Sequence, residues 1–378
     1  MKKEHLELLP EDFDPIVYLR LNPDLDLVVK DVDQIEKEAY AKNHYLNHGK
    51  MERRKYFDLP EDFDPLLYIR QRLNNTREDR KNNLKLNSNK KAYIHIGYGK
   101  TGTTAIQKFF FNNYNILKNN KFLYPISAHK NNFEIAAIGK ETEKNYNKKV
   151  TFIYENVIND MLHIDHDVLL ISSEHFKNRP NRILVFLKEL FFQYEIHIVL
   201  HIRDQIHLIQ SAFTQEAKEG CYTFGRNPWD MYTRISDHFD FNNFIIEPWE
   251  KIFGQSAIKA SLYHPEIIGK DVRHHFLKQI GINDPELISK LNFESEKDNP
   301  SIHPLLSDLI AKIDKNESLD NRPEIIDEIL NISKHLKGIK HSLFTPEQEA
   351  EIKNYYAESN AAFADKYLTP REKELLLS

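Results

Sequence analysis

The chain has 378 residues, 29% of them Asp, Glu, Lys or Arg, with both signs intermixed and a formal net charge of −5. That length can bury a sizeable core and suggests two domains, while the mild negative charge leaves no electrostatic footprint for a nucleic-acid partner. Cys221 is the only cysteine, which excludes an intramolecular disulfide and a cysteine-rich zinc site; no apolar run is long enough for a membrane span and the N-terminus lacks a secretory core, so a cytoplasmic location is expected.

An internal repeat opens the chain: LPEDFDPIVYLR at Leu9–Arg20 returns as LPEDFDPLLYIR at Leu59–Arg70. Each copy places proline and acidic residues ahead of apolar positions at i, i+4 and i+5 (Phe13, Val17 and Tyr18; Phe63, Leu67 and Tyr68), the pattern of a short helix with an acidic first turn. Between the copies, Ala39–Tyr56 has a helical pattern ending at Gly49. Residues 1–80 are therefore expected to form a small all-helical module. Two repeat units are too few for a solenoid, and the module reads as a helical cap or as a docking piece for a partner protein or glycan. The phrases YLRLNPDL and HYLNHGKMERRKY resemble an accessory module found beside bacterial glycan-modifying transferases. His44 and His48 stand at i, i+4 without a carboxylate or cysteine ligand at suitable spacing, so no metal is expected there.

Thr76–Lys91 is polar and reads as a linker, which places the start of the second domain near residue 91. Lys90–Phe111 then reads KKAYIHIGYGKTGTTAIQKFFF, with an apolar run, glycines at 97, 99 and 102, and a helical pattern. In a strand, glycine-rich loop and helix, backbone N–H groups and the helix dipole converge on one point, where a phosphate or another oxyanion fits. Gly97–Thr104 has the glycine spacing of a nucleotide-triphosphate loop, but Thr103 stands where the lysine belongs and the lysine has moved to Lys100. That change argues against ATP or GTP chemistry. Lys100, Thr101, Thr103 and Thr104 still supply a cation and hydroxyl donors around a small dianion.

At these residues the chain resembles the sulfotransferases, whose 5′-phosphosulfate loop reads K-[ST]-G-T-T and binds 3′-phosphoadenosine-5′-phosphosulfate (PAPS). The resemblance covers about 92–370. It implies that Gly99, Lys100, Thr101, Gly102, Thr103 and Thr104 bind the donor, with Lys100 supplying positive charge at the leaving oxygen and Thr103 or Thr104 holding the 5′-phosphate.

Further along, Lys121–Pro125 reads as a short strand, Asn131–Ala137 and Lys149–Leu162 as helices, Asp167–Ile171 (DVLLI) as a buried strand, and Arg182–Gln193 as a helix. Glu195–Ile202 (EIHIVLHI) reads as the next buried strand, followed by a helix over Gln205–Lys218. The fold class is α/β, a P-loop-like parallel sheet flanked by helices and preceded by the helical module; ligands lie beyond the carboxyl ends of such strands. Three polar clusters, at 97–104, 172–175 and 203–211, fall at that edge.

The family resemblance extends to the second and third clusters. It implies that Arg203 and Ser211, eight residues apart, hold the 3′-phosphate, and that the acceptor's proton goes to Glu174 or to His175. A carboxylate facing a lysine and a dianion would be ionised, which favours Glu174, with His175 as the alternative. Gly225–Asp237 lacks the R-K-G-x-x-G-x-x-K loop of the cytosolic enzymes, so one wall of the cofactor site is unassigned. Phe239–Phe253 and Ser261–Leu277 resemble segments of bacterial carbohydrate sulfotransferases, and by that match Tyr263 borders the adenine. Trp229 and Trp249 read as packing residues. From residue 299 onward three helical patterns follow: the stripe Ile302, Leu305, Leu306, Leu309, Ile310 and Ile313 is expected in a core, and Thr345-Pro-Glu reads as a capped helix start.

The expected activity is sulfuryl transfer from PAPS, leaving adenosine 3′,5′-bisphosphate (PAP), to a hydroxyl or amine on a polysaccharide or glycolipid sugar. The rivals are an unusual P-loop kinase, with Glu174 or Asp204 as its magnesium-holding acid, and a non-catalytic glycan-docking protein with a decayed nucleotide site.

Overall fold

The computed structural model describes residues 13–49, 90–125, 157, 160–161, 164–178, 181–294, 302–316, 322–336 and 338–378. The second repeat copy, most of the expected linker, and the helices expected at 131–137 and 149–162 (apart from Val157, Asp160 and Met161) lie outside the described residues. The chain divides into two compact units, Met1–Asn83 with Thr142–His163, and Leu84–Glu141 with Ile164–Ser378.

In the first unit, three short helices, α1 (Pro15–Leu21), α2 (Pro23–Val28) and α3 (Gln34–His44), are followed by one π turn, Tyr45–Gly49. The acidic residues of the repeat precede α1 instead of forming its first turn, because Pro15 is the first helical residue and the Asp14 carboxylate accepts the Ile16 N–H at 2.8 Å. Tyr18, Leu19, Leu25, Val29, Ala41 and Tyr45 bury one another. The Tyr18 hydroxyl lies 3.0 Å from Nδ1 of His44.

The second unit is built on five parallel strands, β1 (Lys91–His95), β2 (Phe122–Leu123), β3 (Val168–Ser172), β4 (Glu195–Ile202) and β5 (Ile258–Leu262), in the order β2-β3-β1-β4-β5. Strands buried on both faces read as continuous apolar runs, and β4 is buried at its last six positions. His95 sits opposite Ser172 of β3 and Val199 of β4, so these three strand ends lie side by side. The strand at 121–125 is only two residues long, and β5 was not read from the sequence, because IKASL carries lysine and serine among its apolar residues.

Helix α4 (Thr103–Asn112) follows β1 and buries Ile106, Phe109 and Phe110 against Tyr93, Leu170, Val199 and Phe276. Each phenylalanine removed from water there contributes about 1.5–3 kcal/mol. Helix α5 (Tyr114–Asn119) precedes β2, and α6 (Asn181–Leu190) ends three residues earlier than its pattern suggested. Helix α7 (Gln205–Glu219) starts where Asp204 accepts the His207 N–H at 3.0 Å and stops at Gly220, which has φ 74°. The stretch 225–237 contains a helix, α8 (Pro228–Ile235), and Trp249 of α9 (Glu247–Phe253) is buried against Phe176 and Phe253.

After α10 (Val272–Gln279), helices α11 (Pro304–Asn316) and α12 (Arg322–His335) share a core of Ile302, Ile310, Ile326 and Ile329. Leu305 and Leu309 leave the expected stripe, being 47% and 49% exposed: α11 packs on α7 and shares a core with α12, and those neighbours cover only part of so broad an apolar face. Helices α13 (Pro346–Tyr367) and α14 (Pro370–Leu377) both open with capping boxes, from Thr345 with Gln348 and from Thr369 with Glu372. Glu372 also accepts the Ser261 hydroxyl at 2.5 Å and the Leu262 N–H at 2.9 Å, tying the last helix to the end of β5.

A line of imidazoles runs through the sheet beneath the strand ends. His95 Nδ1 lies 2.8 Å from the Ser172 hydroxyl, and His201 Nε2 lies 3.2 Å from Nδ1 of His275. Burial pushes His95 down to about 3 and His201 well below the ordinary histidine value; burial also lowers His275, against the opposing charge of Glu372. Between pH 6.5 and 3 the unfolded chain takes up a proton at His95 that the folded chain refuses, so stability falls as pH falls. His95 alone is expected to remove about 2 kcal/mol between pH 7.5 and 5. Urea midpoints should therefore drop over that range and drop less in His95→Asn; equal slopes in the two proteins would refute the assignment.

Candidate functional site

The turn between β1 and α4 is pinned by one acceptor, the carbonyl oxygen of Tyr98. It receives the Thr101 N–H at 3.3 Å, the Thr101 hydroxyl at 2.6 Å and the Thr103 hydroxyl at 3.1 Å. Two of the three motif threonines thus spend their hydroxyls on the turn. Thr101 is fully buried behind the wall, while Thr104 is exposed on it. Gly97 is required by close approach, since a Cβ there would stand 2.7 Å from Thr103 Oγ1. Gly102 has φ 80°, a Cβ there would meet Val272 Cγ1 at 2.8 Å, and no side chain caps the helix that it opens. The first N–H groups of α4 are therefore left for another acceptor. Lys100 itself has φ 73°, a left-handed conformation that costs a non-glycine residue about 1–2 kcal/mol.

A cavity of about 1090 Å³ lies at the carboxyl ends of the strands. Its wall brings together Gly99, Lys100, Gly102, Thr103 and Thr104 from the turn, Glu174 and His175 from the 3₁₀ turn Glu174–Asn178 after β3, Arg203 from the end of β4, Ser211 from α7, and Tyr263 after β5. Of the donor-site and catalytic residues that the family resemblance implied, only Thr101 is not on this wall; Asp204, the other candidate metal acid, is not on it either. Glu174 is half-buried; His175 is exposed, with its backbone N–H donating to the Ser173 hydroxyl at 3.3 Å.

Charge on this wall runs against that of the whole chain. Lys100, Lys108, Lys177, Arg203, Lys270 and Arg273 face four carboxylates, those of Glu174, Glu216, Glu219 and Asp271. Asp271 is taken up by Arg273, at 2.6 Å. Asp204 does not claim Arg203: its carboxylate accepts the His207 N–H at 3.0 Å and meets His207 Nδ1 at 2.7 Å. Burial raises the Asp204 carboxyl, but those bonds and the charges of His207 and Arg203 outweigh it, leaving it below the usual carboxylate range. The Arg203 guanidinium lies 6.0 Å from the Tyr263 ring centre, and among the described residues no hydrogen bond or ion pair occupies it.

Lys100 donates to Gln215 Oε1 at 2.7 Å. Burial lowers its pKa, Glu219 and Glu174 raise it, and Lys218 and Arg203 lower it, with a net fall. Lys177 lies 5.0 Å over the Tyr98 ring; burial lowers its pKa too, against the charge of Glu174. The Tyr98 hydroxyl donates to the His238 carbonyl at 2.5 Å, holding the turn against the segment after α8. Sequence reasoning missed Lys177 and Gln215, although each had a spacing signal: Lys177 follows Glu174 by three, one turn of a 3₁₀ helix, and Gln215 follows Ser211 by four, one turn of an α-helix.

Neither the protein-family models nor the curated proteins contain a match to this chain.

The two glycines separate turn-building from ligand-facing positions. Gly97→Ala should lose at least about 1 kcal/mol of stability, since its Cβ would press on Thr103. Gly99, with nothing within 4 Å of the added carbon, should lose less than about 0.5 kcal/mol as Ala. Urea unfolding of the two variants checks this, and equal losses would contradict it.

Proposed function

We propose that this chain is a sulfotransferase that moves the sulfuryl group of PAPS to a hydroxyl or amine on a polysaccharide or glycolipid sugar, releasing PAP. The observation that supports this reading best is the meeting of Lys100, Glu174, Arg203 and Ser211, from three strand ends and one helix, around a single cation-lined cavity. We read the parallel sheet in 2-3-1-4-5 order as the sulfotransferase version of a P-loop-like fold.

In this reading the Arg203 guanidinium grips the 3′-phosphate with parallel hydrogen bonds and Ser211 adds a hydroxyl. The 5′-phosphate rests on the N-terminal N–H groups of α4 and on Thr104. Glu174 takes the proton from the acceptor as its oxygen or nitrogen bonds to sulfur, a contribution of roughly 10²- to 10⁴-fold. The bond from sulfur to the 5′-phosphate oxygen breaks, and Lys100 stabilises the negative charge left on that oxygen. Tyr263, ringed by Arg203 and Gly102, borders the base. For a kinase, Glu174 is the better placed of the two candidate metal acids, because it lines the cavity while the Asp204 carboxylate lies off the wall and caps α7.

Calorimetric titration tests the donor: PAP should bind far more tightly than ATP with magnesium, and the reverse order would sink the proposal. Arg203→Ala should weaken PAP by about 2–5 kcal/mol and leave adenosine 5′-phosphosulfate nearly unchanged; equal loss for both would remove Arg203 from the 3′-phosphate. Lys100→Ala should abolish transfer to glycan acceptors with an unaltered circular-dichroism spectrum, whereas activity like that of the wild type would take Lys100 out of the chemistry.

A further inference from the structure

Ser211, Gln215 and Glu219 stand at i, i+4 and i+8 on α7, and all three line the cavity. Gln215 bridges two charges: its Nε2 donates to Glu219, and its Oε1 accepts from the Lys100 ammonium at 2.7 Å. The orientation of that amide is forced. An ammonium has three donors and no acceptor, and a carboxylate only accepts, so the carbonyl end must face Lys100 and the NH₂ end must face Glu219. The carboxylate polarises the amide and makes its oxygen the better acceptor, a cooperative chain. Lys100 needs such help, because the left-handed backbone of the turn and the burial of its side chain set the ammonium at a wall shared with other cations.

We propose that Glu219, acting through Gln215, positions the Lys100 ammonium at the cavity wall. The assignment rests on the reading of this cavity as the donor site and adds two positioning residues to it. Every charged group that faces Lys100 bears on the balance: Glu219 and Lys218 on α7, Glu174 after β3 and Arg203 at the end of β4. Glu219 is the strongest of these, and it offsets the cations that would otherwise help strip the proton from Lys100. An arriving anion takes the place of Gln215 Oε1 on the ammonium, and the amide recovers it when the product leaves.

Competitive acetylation of the free protein across a pH series, read peptide by peptide by mass spectrometry, reports the titration of each amine. Glu219→Gln should move the Lys100 curve to lower pH, and Gln215→Glu should move it to higher pH. The Lys177 curve, which answers to Glu174, should stay in place in both. A Lys100 curve unmoved in both variants overturns the proposal, and so does a Lys177 curve that moves equally, since that would mark a general disturbance of the wall. No nucleotide takes part in this measurement. If wild-type protein then fails to bind PAP in calorimetry, the donor reading falls while the labelling result still decides the relay.

Discussion

The carbonyl oxygen of Tyr98 is the constraint on which the site depends. A carbonyl has two lone pairs, and this one serves three donors from two residues of the turn beyond it. The result is a turn too tight for a side chain at 97 and left-handed at both 100 and 102. Glycine removes that cost at 102 but not at 100, where a lysine carries it. Strain kept at a residue that a relaxed turn would not need is a feature of sites where side-chain direction matters more than stability. The same turn delivers α4 with an uncapped N-terminus, so one local arrangement supplies both the cation and the open N–H groups.

The sheet order supplies the rest. With β1 between β3 and β4, the turn after β1 is flanked by the segments leaving its two neighbours, the 3₁₀ turn with Glu174 on one side and Arg203 on the other. Groups more than 70 residues apart in the chain become near neighbours, close enough for Glu174 and Arg203 both to perturb Lys100. The electrostatics are local. A chain of net charge −5 is repelled by an anion at long range, yet the walls of its cleft carry more cations than carboxylates, and field lines concentrate in such a cleft. Parallel strands also explain the buried histidines: a residue such as His95, at the end of a strand covered on both faces, has no route to water and stays neutral.

Much of the α/β core was legible because its signals are local. Continuous apolar runs marked β1, β3 and β4, the pattern over Gln205–Lys218 marked α7, and Thr345 marks α13. β5 was hidden, since Lys259 and Ser261 break its apolar run and its identity comes from pairing with β4. Leu305 and Leu309 misled because periodicity reports how much of a helix is apolar, not how much its neighbours cover. In the site, the glycines and Lys100 stood out by their spacing after a strand, whereas Glu174, His175, Arg203, Ser211 and Tyr263 were singled out through the family resemblance. The division of labour among the threonines could not be read, because nothing in TGTT says that Thr101 and Thr103 turn back to Tyr98 while Thr104 faces outward. Lys177 and Gln215 carry no motif beyond one-turn spacing from Glu174 and Ser211, and that spacing does not by itself say that Gln215 meets Lys100.

The charges around the cavity also limit what a single substitution can reveal. Glu174 lies within electrostatic reach of two amines, Lys100 and Lys177, both pushed down by burial and both held up in part by its carboxylate. In the proposed sulfuryl transfer, removing that charge would withdraw the proton acceptor and at the same time make two ammonium groups easier to deprotonate. A drop in rate on neutralising Glu174 is therefore the sum of two effects of the same sign, and its size does not identify the base. The pH profile separates them: loss of a base removes the acid limb of the rate, whereas loss of support for Lys100 moves the alkaline limb to lower pH. The assignment of the proton acceptor thus turns on which limb of the curve moves.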